Sequence, residues 1–228
     1  MPTIKTVKPA GGGDYTSLAS WEDSVEHESS AAQWAECYSG GNLGVVDISG
    51  GEWVTPDSDN YPKIYAASGY GHATSTSSGA YIEGSSCIST SLEYLRIEGI
   101  RIKNDNTGTH AINFEPNGTS DGSRVEKCLI HGSFQSGVNV SQISGSSGGT
   151  SHIANNIIII DGDDSNTARG IKVTGTSASV TTYSYIYNNS VYVTDANATN
   201  AKYLISFLNL SPNTLNITVE NNIAIGNS

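Results

Sequence analysis

The residues best equipped for chemistry lie in Asp161-Gly162-Asp163-Asp164-Ser165-Asn166-Thr167-Ala168-Arg169, which crowds three carboxylates against a guanidinium, with Lys172 just beyond. Asp161, Asp163 and Ser165 alternate as hard oxygen donors do at the start of a Ca²⁺ loop. The glycine and the distal bidentate glutamate of an EF-hand are missing from their places. A solvated acidic turn is therefore the favoured reading, and a Ca²⁺ site on Asp161 and Asp163 the secondary one. Two reactions would use such a set. Elimination from a uronate polymer needs the carboxylate neutralised, often by Ca²⁺, and a base for the adjacent proton. Asp163 and Asp164 with Lys172 or Arg169 can supply both. Hydrolysis of a glycosidic bond needs two carboxylates placed across it, which Asp161, Asp163 and Asp164 could provide. Neither reaction requires a cofactor beyond that ion.

Other reactive groups are scattered. His110, His131 and His152 stand 21 residues apart, as a stacked metal site would require. Tyr183, Tyr185, Tyr187, Tyr192 and Tyr203 cluster late in the chain, and Tyr185 and Tyr187 flank an inward Ile186. Those two are expected to face outward as a strip on which sugars can stack, although tyrosine is also an ordinary strand residue. Cys37, Cys87 and Cys128 are odd in number and lack metal-ligand spacing, so they read as small core residues.

Composition limits the partners. Of 228 residues only 14% are charged, and 22 acidic against 11 basic residues give a net charge of −11. Such a chain disfavours nucleic-acid backbones and anionic membranes, and would take an anionic polymer only over a local basic patch or a bound cation. Solubility of an elongated body is the plainer reading of that acidity. Gly, Ser, Thr and Asn abound, which favours short strands joined by polar turns. No apolar run reaches membrane-spanning length, and the N-terminus lacks the basic-then-apolar pattern of a signal peptide.

The elements that must position these groups repeat. Ile153-Ala154-Asn155-Asn156-Ile157, Ile186-Tyr187-Asn188-Asn189-Ser190 and Val219-Glu220-Asn221-Asn222-Ile223 share one phrase, with degenerate copies at Val125 and Ile97. The lead positions are separated by 28, 28, 33 and 33 residues, the period of a solenoid. Between the phrases recurs an alternating run: Ala111-Ile112-Asn113-Phe114, Gly137-Val138-Asn139-Val140 and Gly170-Ile171-Lys172-Val173. Each repeat thus holds three short strands, which predicts an all-β, single-stranded right-handed parallel β-helix with three strands per rung. A period of 28 disperses histidines spaced by 21 over different faces and dissolves the apparent metal triad.

The order Gly-Ile-x-Val, loop, Ile-x-Asn-Asn, loop resembles the pectate-lyase-like parallel β-helix superfamily. The resemblance implies that the asparagines sit at the tight bend between the second and third strands and stack into a ladder. Asparagine tolerates left-handed backbone, and its amide can bond to its equivalents above and below. Gly11-Gly12-Gly13-Asp14-Tyr15-Thr16-Ser17-Leu18 with Trp21-Glu22 is similar to the opening of phage-encoded and metagenomic β-helix proteins, as is the stretch from Pro62 to His72. Leu18, Trp21 and Val25 share one helical face, with Thr16 or Ser17 as cap. Such a helix would cover the N-terminal end of the solenoid.

The same resemblance places a groove along the outer face of the Gly-Ile-x-Val strand. It makes Asn113 and Asn139 substrate-binding candidates beside Lys172, with Lys172, Arg169, His131, Asp163 and Asp164 as catalytic candidates. His131 enters as a base closing a third strand near the groove, though an exposed structural histidine is the plainer reading. Hydrolases of this fold draw acids from neighbouring rungs, and Asn113 and Asn139 do not titrate. Elimination is therefore preferred over hydrolysis.

One domain over 1–228 is expected, with a strand and capping helix in about 1–34 and rungs over 35–228. The last rung ends without a visible cap, which suggests a homo-oligomer or a further C-terminal segment. The expected function is polysaccharide binding, with degradation left open, in a secreted or virion-associated setting. The alternative is a non-catalytic structural or adhesive module, such as a fibre or spike shaft.

Overall fold

The computed structural model describes residues 1–25, 31–48, 53, 56–71, 79–115, 122–142, 149–161, 167–175, 181–194, 202–209 and 214–226. Strands run through three wholly parallel sheets. Sheet A stacks Thr3–Val7, Gln33–Cys37, Lys63–Ala66, Arg96–Glu98, Ser123–Glu126, Thr150–Ala154, Thr181–Tyr187 and Thr214–Glu220. Sheet B stacks Tyr81–Glu83, Arg101–Lys103, Leu129–Gly132, Ile157–Ile160, Ser190–Val193 and Ile223–Gly226. Sheet C stacks Val46–Ile48, Ile88–Thr90, His110–Phe114, Ser136–Gln142, Ala168–Gly175 and Lys202–Asn209. The first two strands both join sheet A; from Val46–Ile48 on, the chain visits C, A and B in turn, so each circuit adds one strand to every sheet, as in a parallel β-helix with three strands per rung.

The repeated phrase forms the A-to-B corner, and its two asparagines do different work. Asn155, Asn188 and Asn221 adopt φ of 58°, 56° and 52°, the left-handed region. Lys127 and Gly99 take the same conformation, at 54° and 70°, in the degenerate copies. The second asparagines turn inward and form the ladder. Asn156 Nδ2 donates to Asn189 Oδ1 at 2.9 Å, and Asn189 Nδ2 donates to Asn222 Oδ1 at 3.0 Å. The same amides close the corner by donating to Val125, Ile153 and Ile186 carbonyls, each at 2.9 Å. Cys128 stands where the ladder begins and donates its backbone N–H to Asn156 Oδ1 at 2.9 Å.

Inward Ile, Val and Leu from all three sheets fill the interior as one continuous core. All three cysteines are free and buried in it, and desolvation pushes their thiols above the usual range. The expected capping helix is real but short. Leu18–Glu22 is capped by Ser17, whose Oγ accepts from Ser20 N while Ser20 Oγ accepts from Ser17 N. Leu18 and Trp21 are wholly buried, and the helix packs against the first strands of sheets A and C. At five residues it plugs one end of the core rather than roofing it.

Candidate functional site

The Gly-Ile-x-Val strand needs its glycine. A Cβ on Gly137 would lie 3.0 Å from Ile158 Cγ2 and 2.8 Å from the Gly170 carbonyl. On Gly170 it would lie 2.6 Å from both Val191 Cγ1 and the Leu204 carbonyl. The position therefore turns into the core at the B-to-C corner, where Ala111 serves in the preceding rung. Residues on either side of it form two registered rows. One row pairs His110 with Ser136, Arg169 and Tyr203; the other pairs Asn113 with Asn139, Lys172 and Ser206.

The second row is the one expected from the sequence, and it extends further. Ser89 pairs with Asn113, and Asp47 with Ser89. Neighbours along it are hydrogen-bonded: Ser89 Oγ donates to Asp47 Oδ1 at 2.8 Å, and Asn139 Nδ2 donates to Asn113 Oδ1 at 2.7 Å. Asp47, Ser89, Asn113 and Glu115 help line a hollow of about 390 Å³. Sheet C thus carries carboxylates at its N-terminal end, amides in the middle and cations at Arg169 and Lys172.

Asp47 and Glu115 carry no signal in the sequence, and His110 enters there only through its spacing with the other histidines. Variable loops spread the members of the row unevenly, by 42 residues from Asp47 to Ser89 and 26 from Asn113 to Asn139. No fixed period reveals such a row. His110 was obscured by its coincident spacing with the other histidines.

The electrostatics of the basic end suit proton transfer. Burial, then the Arg169 charge, hold Lys172 below the usual ammonium range. Burial, then Lys172 and Arg169, depress His110 to about 4, so its imidazole is neutral near pH 7. His110 is thus unprotonated near pH 7 but only weakly basic, while the two cations can neutralise a carboxylate. Several polar atoms here are buried without a hydrogen-bond partner: Ser136 Oγ, Asn139 Oδ1, His110 Nδ1, Arg169 Nε and Thr174 Oγ1. Asn139 is only 1% exposed, so its unpaired carbonyl oxygen is costly unless something donates to it.

The depressed His110 has a measurable consequence. Above pH 6.5 the imidazole is neutral in folded and unfolded chains alike. As pH falls from 6.5 towards 4 the unfolded chain takes up the proton first, so stability is lost across that window. Thermal melts through this range should show a steeper decline for the wild type than for His110→Asn. His131, also depressed by burial, adds a slope of the same sign, and His131→Asn measures it separately.

The other candidates are placed elsewhere. His131 lies on sheet B in register with Lys103 and Ile159, and is buried rather than exposed. It does not face the Lys172 row, because the 21-residue spacing puts His110, His131 and His152 on sheets C, B and A respectively. Asp161 follows a sheet B strand, where Thr194 Oγ1 donates to its carboxylate at 3.2 Å and its charge acts on His131. Asp163 and Asp164 lie outside the described residues. Among the described residues no group of three or more His, Cys, Asp and Glu could hold a metal ion.

Tyr185 and Tyr187 lie on sheet A, half-buried on its outer face, in a sheet distinct from the Lys172 row. Tyr185 stacks on His152 with centroids 5.0 Å apart. Tyr192 falls on sheet B and Tyr203 on sheet C beside Arg169, so the late tyrosines divide among three faces. The chain matches no protein-family model, no curated protein and no solved structure.

Proposed function

We propose that this protein is a polysaccharide-binding parallel β-helix whose glycan lies along sheet C, over Asp47, Ser89, Asn113, Asn139 and Lys172. The observation that carries this reading is the registered polar row itself, with buried polar atoms on the same face that lack partners. A chain of sugar hydroxyls offers donors and acceptors at intervals along the rod, as this row requires. If the glycan is also cut, elimination fits better than hydrolysis. Arg169 would neutralise a uronate carboxylate and Lys172, in its neutral form, would take the adjacent C–H proton; a C=C bond forms as the glycosidic C–O bond breaks, and the leaving oxygen takes a proton from water or from Lys172.

The test is incubation with a panel of acidic and neutral polysaccharides, with and without Ca²⁺. Retention, or unsaturated product absorbance, that disappears in Lys172→Ala is the expected result. Absence of both retention and turnover on every glycan overturns the reading. That outcome would favour a structural or adhesive shaft, to which one observation already lends support: the centre of the row is made of amides, which cannot transfer protons.

A further inference from the structure

Sheet A carries a second row that the sheet C site does not use. Lys63 pairs with Arg96, Arg96 with Arg124, Arg124 with His152, and His152 with Tyr185. Three cations from successive rungs therefore stand one strand spacing apart, about 4.8 Å, in a protein whose net charge is −11. Aromatic rings hold and flank them. The Arg96 guanidinium lies 3.5 Å over the Tyr61 ring, and Lys63 Nζ lies 5.2 Å from the Trp34 and 4.8 Å from the Tyr65 centroid.

The neighbouring row is acidic but largely committed. Glu98 accepts from Lys63 at 2.8 Å and from Lys127 at 2.7 Å, which leaves Glu126, whose charge acts on Arg96. Lys63, Arg96, Glu98, Arg124 and Glu126 surround a hollow of about 190 Å³. The Nε atoms of Arg96 and Arg124 are buried without a hydrogen-bond partner.

We propose that this strip binds an acidic, uronate-bearing glycan lying along the rod axis, with Arg96 and Arg124 holding its carboxylates. The choice of ligand follows from the mixed chemistry of the strip. Arginine recognises carboxylate through paired N–H donors, and rings on either side suit the apolar faces of sugars. Glu98 and Glu126 accept from hydroxyls but repel a polymer that carries only anionic groups. A uronate polymer has both hydroxyls and one carboxylate per unit. The proposal deepens the glycan reading but places this ligand on sheet A, so the two can fail separately.

The experiment is affinity electrophoresis of the whole protein through gels containing polygalacturonate, dextran or polyphosphate, at low and raised salt. Arg96→Gln/Arg124→Gln should bind polygalacturonate on the order of ten- to a hundredfold more weakly than wild type, the loss expected for two charge-assisted contacts that solvent partly screens. Dextran should retard neither protein strongly. Arg124→Gln alone, compared by thermal melting, guards against a folding defect in the double variant. Undiminished polygalacturonate binding by a folded double variant overturns the strip while leaving the glycan reading intact. Equal retardation by polyphosphate overturns the assignment to a glycan. Failure of the wild type to bind any glycan on the wider panel overturns both readings.

Discussion

Replacing Asn189 by alanine is expected to destabilise the protein by on the order of 3–5 kcal/mol, a large share of the 5–15 kcal/mol typical of a domain. Asn189 is fully buried at the A-to-B corner. Its Oδ1 accepts from Asn156 N at 3.1 Å and Asn156 Nδ2 at 2.9 Å, while its Nδ2 donates to Ile153 and Tyr187 carbonyls and to Asn222 Oδ1. Alanine removes all of these at once and leaves the Asn156 N–H without its acceptor, where water cannot reach it. Urea unfolding should show a large drop in the midpoint.

The adjacent Asn188 supplies the contrast. It is exposed and sits at φ 56°, so what the corner needs from it is backbone conformation. Glycine reaches that region freely, and Asn188→Gly should therefore cost no more than about 1 kcal/mol. Equal losses for the two variants would show that the corner does not divide its work between hydrogen bonding and backbone geometry.

Gly170→Ala should be the second large effect, on the order of 1–3 kcal/mol, the usual cost of an extra methyl in a filled interior. The added Cβ meets the Leu204 carbonyl and Val191 Cγ1, each at 2.6 Å. The backbone contact leaves only movement of the strand as relief. That strand carries Arg169 and Lys172, so relief would shift both candidate groups together. The expected pattern is a lower melting temperature accompanied by weaker glycan retention. Retained stability with retained binding would contradict the packing at this corner.

The sequence disclosed those elements whose geometry leaves a fixed mark. An asparagine pair at each corner is such a mark, because one position must be left-handed and the next must bond to its equivalents. Asn113, Asn139 and Lys172 could be aligned because each follows a small residue and an inward Ile or Val. Asp47 and Ser89 escaped because the loops joining rungs vary in length, and no period leads from Asp47 to Ser89 to Asn113. The basic row on sheet A is legible in the sequence: Lys63, Arg96 and Arg124 each precede an inward Ile or Val, as His152 and Tyr185 do. His131 closes the third strand of its rung, as expected, but that strand belongs to sheet B and the side chain is buried there, which a position along the chain does not disclose.

The most direct test of glycan binding over sheet C is an NMR titration of the isotope-labelled protein with a glycan retained on the panel. The side-chain amide signals of Asn113 and Asn139 should shift, together with the His110 ring, whether or not sheet A also responds. Saturable binding that leaves all three unmoved would contradict a ligand site on sheet C.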